Sequence, residues 1–328
     1  MNVKDDPAFT NLFELTAGLF IQAGLRFSST PLITFVCGGT DEFDSPSIRS
    51  LPGYPQWVMR MADIFRADVP KQLSFRKRFI DWALVNEPRL ACVRAETAIT
   101  DLMGAIRVRG KTDDLAEVET IIADVCDRIL LFCESPGSLA ELGIFCMNEK
   151  ISGITLVVLP EQHQGGSFIN RGPVARIARQ SNFVPAVIGA DYVSVFRGIS
   201  QRLTADPPHN ENFDSSLWDD LTLRQKFCII DMLLDISGVL TDDDLKDIVR
   251  RIAGKFDYWE VQLLVGIILA LGRGARTKSG FLARVARIPP ERFILGQDKN
   301  FRDMKARWIS RYRKSGLPQY LEYMEVNR

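Results

Sequence analysis

Two glutamates seven positions apart, Glu134 and Glu141, lie in the stretch ESPGSLAELG that follows the apolar run Ile129–Cys133. A carboxylate at such a strand end can attack an anomeric carbon, or stabilise an oxocarbenium-like transition state, as carboxylates do in glycoside chemistry. Pro136-Gly137 turns the chain, and Ser138 is read as opening a helix whose N–H groups would favour a phosphate, a carboxylate or a polar sugar group. Glu141 then falls in the first turn. A second loop, Cys37-Gly38-Gly39-Thr40, ends another apolar run, and paired glycines there let a ligand approach the backbone because no Cβ stands in the way. Ser138-x-x-Glu141 also has the pattern of a capping box, in which the glutamate only satisfies a backbone N–H. The preceding buried strand, the Pro-Gly turn and the second glycine loop favour a site over a cap.

Other chemistries have few residues to work with. His163 and His209 are the only histidines, and six cysteines form no CxxC pair, which leaves little for a zinc centre or a histidine triad. No metal site and no cofactor are expected. Cys37, Cys92, Cys126, Cys133, Cys146 and Cys228 read as buried free thiols of a reducing compartment.

The elements that must position the glutamates follow from periodicity. Leu32–Cys37, Leu90–Val93, Ile129–Cys133 and Ile154–Leu159 are short, partly β-branched apolar runs bounded by Gly, Pro or charge, and they predict buried strands. Trp57–Phe65, Asp114–Val125, Ser138–Met147 and Pro173–Gln180 predict helices between them, with Pro173 at a first helical position. The alternation implies an α/β domain with a mostly parallel sheet, whose ligands gather at the carboxyl ends of the strands. Asp127 reads as a boundary residue before its strand rather than a sugar contact. Thr204–Asp220 has linker composition, so the domains are drawn as 1–204 and 221–328 with a linker over 205–220. Beyond it, Leu221–Ile236, Thr241–Ala253 and Tyr258–Leu271 predict three helices, Thr241 being a good N-cap. A Gly-bearing basic hairpin follows, which is the order of a winged helix-turn-helix.

Length and composition agree with two globular domains. The 328 residues are 46% hydrophobic and 25% charged, enough to bury sizeable cores and unlike a disordered chain. Balanced totals of 41 basic and 41 acidic residues exclude a uniformly basic coat. No secretory signal and no membrane-length apolar run are recognised, so a cytoplasmic protein without membrane attachment is expected. The charge is nevertheless uneven. Between Arg273 and Lys314, thirteen Lys and Arg face three acids, interleaved with Phe281, Phe293, Phe301, Trp308 and Tyr312. Arg273, Arg276, Lys278, Arg307, Arg311, Arg313 and Lys314 are the candidate nucleic-acid contacts, the alternative being a solvated face.

VCGG at Val36–Gly39, ILLFCESPGSLAELGIF at Ile129–Phe145 and SFINRGPVARI at Ser167–Ile177, in this order, resemble the nucleoside deoxyribosyltransferase-like effectors of bacterial retrons. The resemblance covers most of the first domain. It implies a Rossmann-like sheet, N-glycosidic bond cleavage, and Glu141 as the nucleophile on the ribosyl C1′. It also implies Gly38 and Gly39 as the nucleotide platform, with Glu134, Ser135, Gly137 and Ser138 around the sugar. Asn170 falls near the pocket, where it could serve a neighbouring subunit; by composition alone it is an ordinary turn residue. Glu96 corresponds more loosely to an acid at a strand end. The implied substrate is a nucleotide, NAD+ foremost. The implied partners are the retron reverse transcriptase, its non-coding RNA and RNA-linked DNA (msDNA), and further copies of the chain. The segment Arg66–Pro88 is longer than the resemblance leads one to expect. Two rival readings are a nucleotide-sensing, nucleic-acid-binding regulator and a structural subunit of the reverse transcriptase particle.

Overall fold

The computed structural model describes residues 7–21, 26–27, 31–39, 42–43, 72–94, 115–161, 166–181, 183–189, 191–205, 211–212, 218–285, 294–295 and 298–327. The expected helix Trp57–Phe65, Thr40, Glu96 and both histidines lie outside these residues.

Five strands form one sheet: β1 (Leu32–Cys37), β2 (Leu90–Val93), β3 (Arg128–Phe132), β4 (Thr155–Pro160) and β5 (Ala186–Ile188), in the order β2-β1-β3-β4-β5. The pairs β1/β2, β3/β4 and β4/β5 are parallel, so the expected mostly parallel α/β sheet is observed, with a fifth strand that periodicity did not mark. Every residue of β1 and β4 is buried, as continuous apolar runs predict for strands covered on both faces.

The helices are α1 (Pro7–Ile21), α2 (Phe75–Asn86), α3 (Leu115–Val125), α4 (Pro136–Phe145), α5 (Glu149–Gly153), α6 (Ala175–Ser181), α7 (Tyr192–Thr204), α8 (Leu223–Ser237), α9 (Asp242–Ala253), α10 (Tyr258–Ala270), α11 (Asp298–Ser315) and α12 (Pro318–Val326). A three-stranded antiparallel sheet in the second half joins β6 (Val239–Leu240), β7 (Gly274–Arg276) and β8 (Leu282–Arg284) in the order β6-β8-β7. Among the described residues no helix is long and apolar enough to cross a membrane.

The chain groups into two compact units. One gathers Val36–Pro88 and Arg128–Ala205; the other gathers Met1–Phe35, Arg89–Asp127 and Asp206–Arg328. One edge falls at the start of the expected linker, while the edges at 35/36, 88/89 and 127/128 have no counterpart in composition. In the first of these units, α2 and α7 cover the sheet through Phe79, Phe132 and Phe196, with Phe79 and Phe196 meeting edge to face at 5.3 Å. Glu87 is buried beside them and accepts the Ser200 hydroxyl at 2.6 Å.

In the other unit, α1 packs on α9 and α11. Phe9, Phe13, Trp308 and Tyr312 form its aromatic centre, and the Trp308 indole donates to Thr16 Oγ1 at 2.9 Å. Asp127 is structural here: its carboxylate accepts the Ile33 N–H at 2.7 Å and pairs with Arg224 at 3.1 Å. Thr241 caps α9 as expected, in a box closed by Asp244. All six cysteines are free, Cys92 half-buried and the others buried.

Candidate functional site

The stretch after β3 builds its helix differently from the sequence reading. The helix α4 starts at Pro136, its N-cap is Ser135, and the third helical position is Ser138. Ser135 is extended (φ −145°, ψ 161°), and its Oγ accepts the Ser138 N–H at 3.1 Å. Ser138 Oγ in turn accepts the Ser135 N–H at 3.0 Å and donates to the Ser135 carbonyl at 2.8 Å. The capping box is therefore Ser135-x-x-Ser138. This corrects the expectation that Ser138 opens the helix. Pro136 stands at the first position, where its missing N–H costs nothing, and two serine hydroxyls satisfy the orphan donors. Ser138 is wholly buried by this role. Glu141 moves from the first turn to the second, half-buried, and has no part in the cap.

Glu134 does different work from Glu141. Its Oε1 accepts the N–H of Gly39 and of Arg76, both at 3.2 Å, and its Oε2 accepts the N–H of Phe75 at 2.8 Å. Phe75 and Arg76 are the first two residues of α2, and Ser74 Oγ takes the third donor, Lys77 N–H, at 3.1 Å. One carboxylate thus caps a helix it does not belong to and ties it to the glycine loop after β1. Burial raises the Glu134 carboxyl above the usual carboxylate range, and the three N–H groups and the nearby Arg76 charge oppose that rise. Glu134, expected beside the sugar, here clamps the glycine loop to α2.

Gly38 is the counterpart of this clamp. Its φ is +155°, and a Cβ there would stand 3.0 Å from Glu134 Oε1, 3.1 Å from Arg76 Cβ and 3.1 Å from Phe132 Cβ. The glycine pair lets the backbone approach the carboxylate as well as any ligand. Gly39 is buried and Gly137, at the second position of α4, is exposed.

Cys133 lies between β3 and the cap, and it senses both glutamates: burial pushes its thiol up to about 12, with the Glu141 and then the Glu134 charge adding to the rise. Gly38, Gly39, Glu134, Ser135, Ser138 and Glu141 therefore gather at the carboxyl ends of β1 and β3, where ligands of parallel sheets collect. Asn170 opens a π-helical turn, Asn170–Val174, that contains Pro173 and packs on α4. Such turns recur at functional sites, and this one places Asn170 on the element next to the helix of Glu141. Sequence reasoning missed α2, whose start the Glu134 clamp requires; its N-cap Ser74 was the local signal. Among the described residues no group of His, Cys, Asp and Glu could hold a metal ion.

The candidate nucleic-acid contacts divide. Arg273 is buried, and its guanidinium grips Asp231 with two bonds of 2.8 and 2.7 Å, so it faces a carboxylate and not solvent. Arg276 pairs with Asp242 at 2.8 Å, and Lys278 lies 3.5 Å from Glu325. Arg313 donates to the Tyr320 hydroxyl at 2.9 Å. Arg307 and Lys314 are exposed, and Arg311 lies over the Phe9 ring at 5.5 Å.

Two comparisons with known proteins bear on the chain. Over 69 residues the sequence is 42% identical to an Escherichia coli protein described as "Retron Ec86 putative ribosyltransferase/DNA-binding protein". That match covers 21% of this chain and 22% of the relative, so the chain matches about a fifth of the relative's length. A second match is far longer: the family profile described as STM3845 retron effector protein covers residues 72–272, which include Glu134, the start of α2, the cap and Glu141 but not the Gly38-Gly39 loop. Because that span is more than half of the chain, the protein belongs to the STM3845 retron effector family.

Proposed function

We propose that the chain is an effector of retron anti-phage defence that cleaves the N-glycosidic bond of a nucleotide, with NAD+ as the leading substrate. One observation carries this reading: α4 is capped by Ser135 and Ser138, which leaves Glu141 outside the cap at the strand ends where Gly38 and Gly39 are held. The Glu141 carboxylate attacks C1′ of the ribosyl group, and the bond to the base breaks with its electron pair leaving on the base nitrogen. From NAD+ that leaving group is neutral nicotinamide, which needs no proton to depart. Water then attacks C1′ of the glycosyl ester, forming the C1′ hydroxyl of the base-free nucleotide (ADP-ribose from NAD+), releasing a proton to solvent and restoring the carboxylate. This chemistry calls on no metal or cofactor. Glu134 holds the glycine platform, and Asn170 lies beside α4 to bind the substrate of its own or a neighbouring subunit.

The second half of the chain would be the nucleic-acid-associated part, acting with the reverse transcriptase and its RNA-linked DNA. The order α8, β6, α9, α10 and the β7–β8 hairpin supports a winged helix-turn-helix reading, and the Escherichia coli relative's description includes DNA binding. The test is incubation of wild-type and Glu141→Gln protein, each assembled with the retron reverse transcriptase and RNA, with a panel of nucleotides including NAD+. Release of base by wild type and a loss of at least about 10³-fold in the variant are expected. A variant that still releases base removes Glu141 from the chemistry.

A further inference from the structure

A groove of about 460 Å3 runs between α1 and α11, and three cations, Arg307, Arg311 and Lys314, line it together with Asn11 and Ser310. We infer that this groove holds the sugar–phosphate backbone of a single nucleic-acid strand. The inference rests on the nucleic-acid part of the reading above and gives it a place in the fold.

Positions 307, 311 and 314 repeat at i, i+4 and i+7, which aligns them on one face of α11 over about 10 Å. Phe301, Met304, Trp308 and Tyr312 take the adjoining, buried flank of the helix. Among the described residues no carboxylate pairs with Arg307 or Lys314, whereas the other basic residues of this region that face acids are neutralised: Arg273 by Asp231, Arg276 by Asp242, and Lys305 by Asp235 at 2.9 Å. Arg311 stays in line because its guanidinium lies on the Phe9 ring of α1. The second wall offers Asn11, an amide that can bond phosphate or sugar oxygens, and Leu12 and Leu15 against the sugar.

Shape selects a single strand. Helices that read duplex DNA protrude into its groove, whereas these cations line a shallow, open groove between two packed helices. The helix in the position of a recognition helix argues the same way. α10, YWEVQLLVGIILA, has no Lys or Arg, and Val261, Leu263, Leu264, Val265, Ile267 and Ile268 are buried. The basic residues of the β7–β8 hairpin are engaged by Asp231, Asp242 and Glu325. Phe9 lies wholly buried beneath Arg311, so no ring is offered for base stacking and the groove reads backbone, not sequence.

The experiment measures binding of the full chain to labelled poly-dT, poly-U and poly(dA)·poly(dT) across a salt series. Arg307→Gln with Lys314→Gln is compared with a charge-matched control, Arg313→Gln with Lys278→Gln. Asn11→Glu, at an exposed helical position, places an acid in the groove without removing a cation. We expect the groove pair to weaken single-strand binding at least 10-fold and to flatten the salt slope by about 0.7 per contact, the control to change it less than 3-fold, and Asn11→Glu to act as the groove pair does. Poly-dT and poly-U should respond alike, because the groove contacts phosphates. Equal losses in groove and control pairs, no loss in either, or tighter binding of the duplex with the same dependence on Arg307 and Lys314 overturns the assignment. If wild type binds none of the three, the nucleic-acid reading falls with it, and the glycosidase reading stands apart.

Discussion

The Ser138 N–H donates to Ser135 Oγ at 3.1 Å, and the Ser135 N–H donates back to Ser138 Oγ at 3.0 Å. This reciprocal pair closes the N-terminus of α4 three residues before the glutamate that the pattern S-x-x-E would have made its cap. Glu141 therefore has no part in starting its own helix.

Glu141→Gln should therefore leave stability nearly unchanged, within about 0.5 kcal/mol by urea unfolding, while activity is lost. A cost near the 1 kcal/mol of a lost cap would mean that Glu141 supports the helix after all.

Ser135→Ala and Ser138→Ala should each cost about 1 kcal/mol. Because their hydroxyls also contact each other at 3.2 Å, the double variant should cost less than the sum of the singles. A double-mutant cycle by urea unfolding measures the difference, and strict additivity would argue against the coupled cap.

Glu134→Ala leaves the N–H groups of Gly39, Phe75 and Arg76 without their acceptor, and should destabilise by at least about 2 kcal/mol. Gly38→Ala should cost roughly 1 to 3 kcal/mol, since its Cβ would press on three neighbours at 3.0 to 3.1 Å. Amide hydrogen exchange should show both variants loosening the start of α2, at Phe75 and Arg76. Unchanged protection there would separate the glycine loop from the helix cap.

Asp231 accepts from both Arg273 and Arg284, and these hydrogen bonds and charges hold its carboxyl below the usual range although burial alone would raise it. A lowered folded-state pKa stabilises above the unfolded carboxyl value of about 3.9, and that stability is lost as pH falls through the folded value. Asp231→Asn should flatten the acid limb of the stability curve below about pH 4. Asp231→Ala should cost about 3 to 5 kcal/mol at neutral pH by taking from buried Arg273 its paired carboxylate and leaving Arg284 to the more distant Asp235 at 3.7 Å. An unaltered acid limb in Asp231→Asn would place the acid sensitivity elsewhere.

The apolar runs Leu32–Cys37, Ile129–Cys133 and Ile154–Leu159 appear as β1, β3 and β4, displaced by at most one residue at either end. The helices after the linker were equally readable, because Thr241 before three acids and the periodic apolar residues are local signals. β5 was missed because Ala186–Ile188 is too short to show a period, whereas α7 was legible from Asp191 and the periodic Phe196, Ile199 and Leu203. The start of α2 is held by a carboxylate 58 residues away along the chain, a signal that no local window contains.

Residue types and their local order determined the parallel α/β sheet, the glycine loop, the Pro-Gly turn and the concentration of basic charge near the C-terminus. Tertiary structure alone decided what those residues engage. Glu134 and Glu141 are equivalent carboxylates of one short stretch until three distant N–H groups converge on the first. Arg273 and Arg307 are equivalent cations until Asp231 is buried against one of them. Sequence specifies how many charges and donors a segment has; folding pairs them, because a buried polar group without a partner costs more than the fold can absorb.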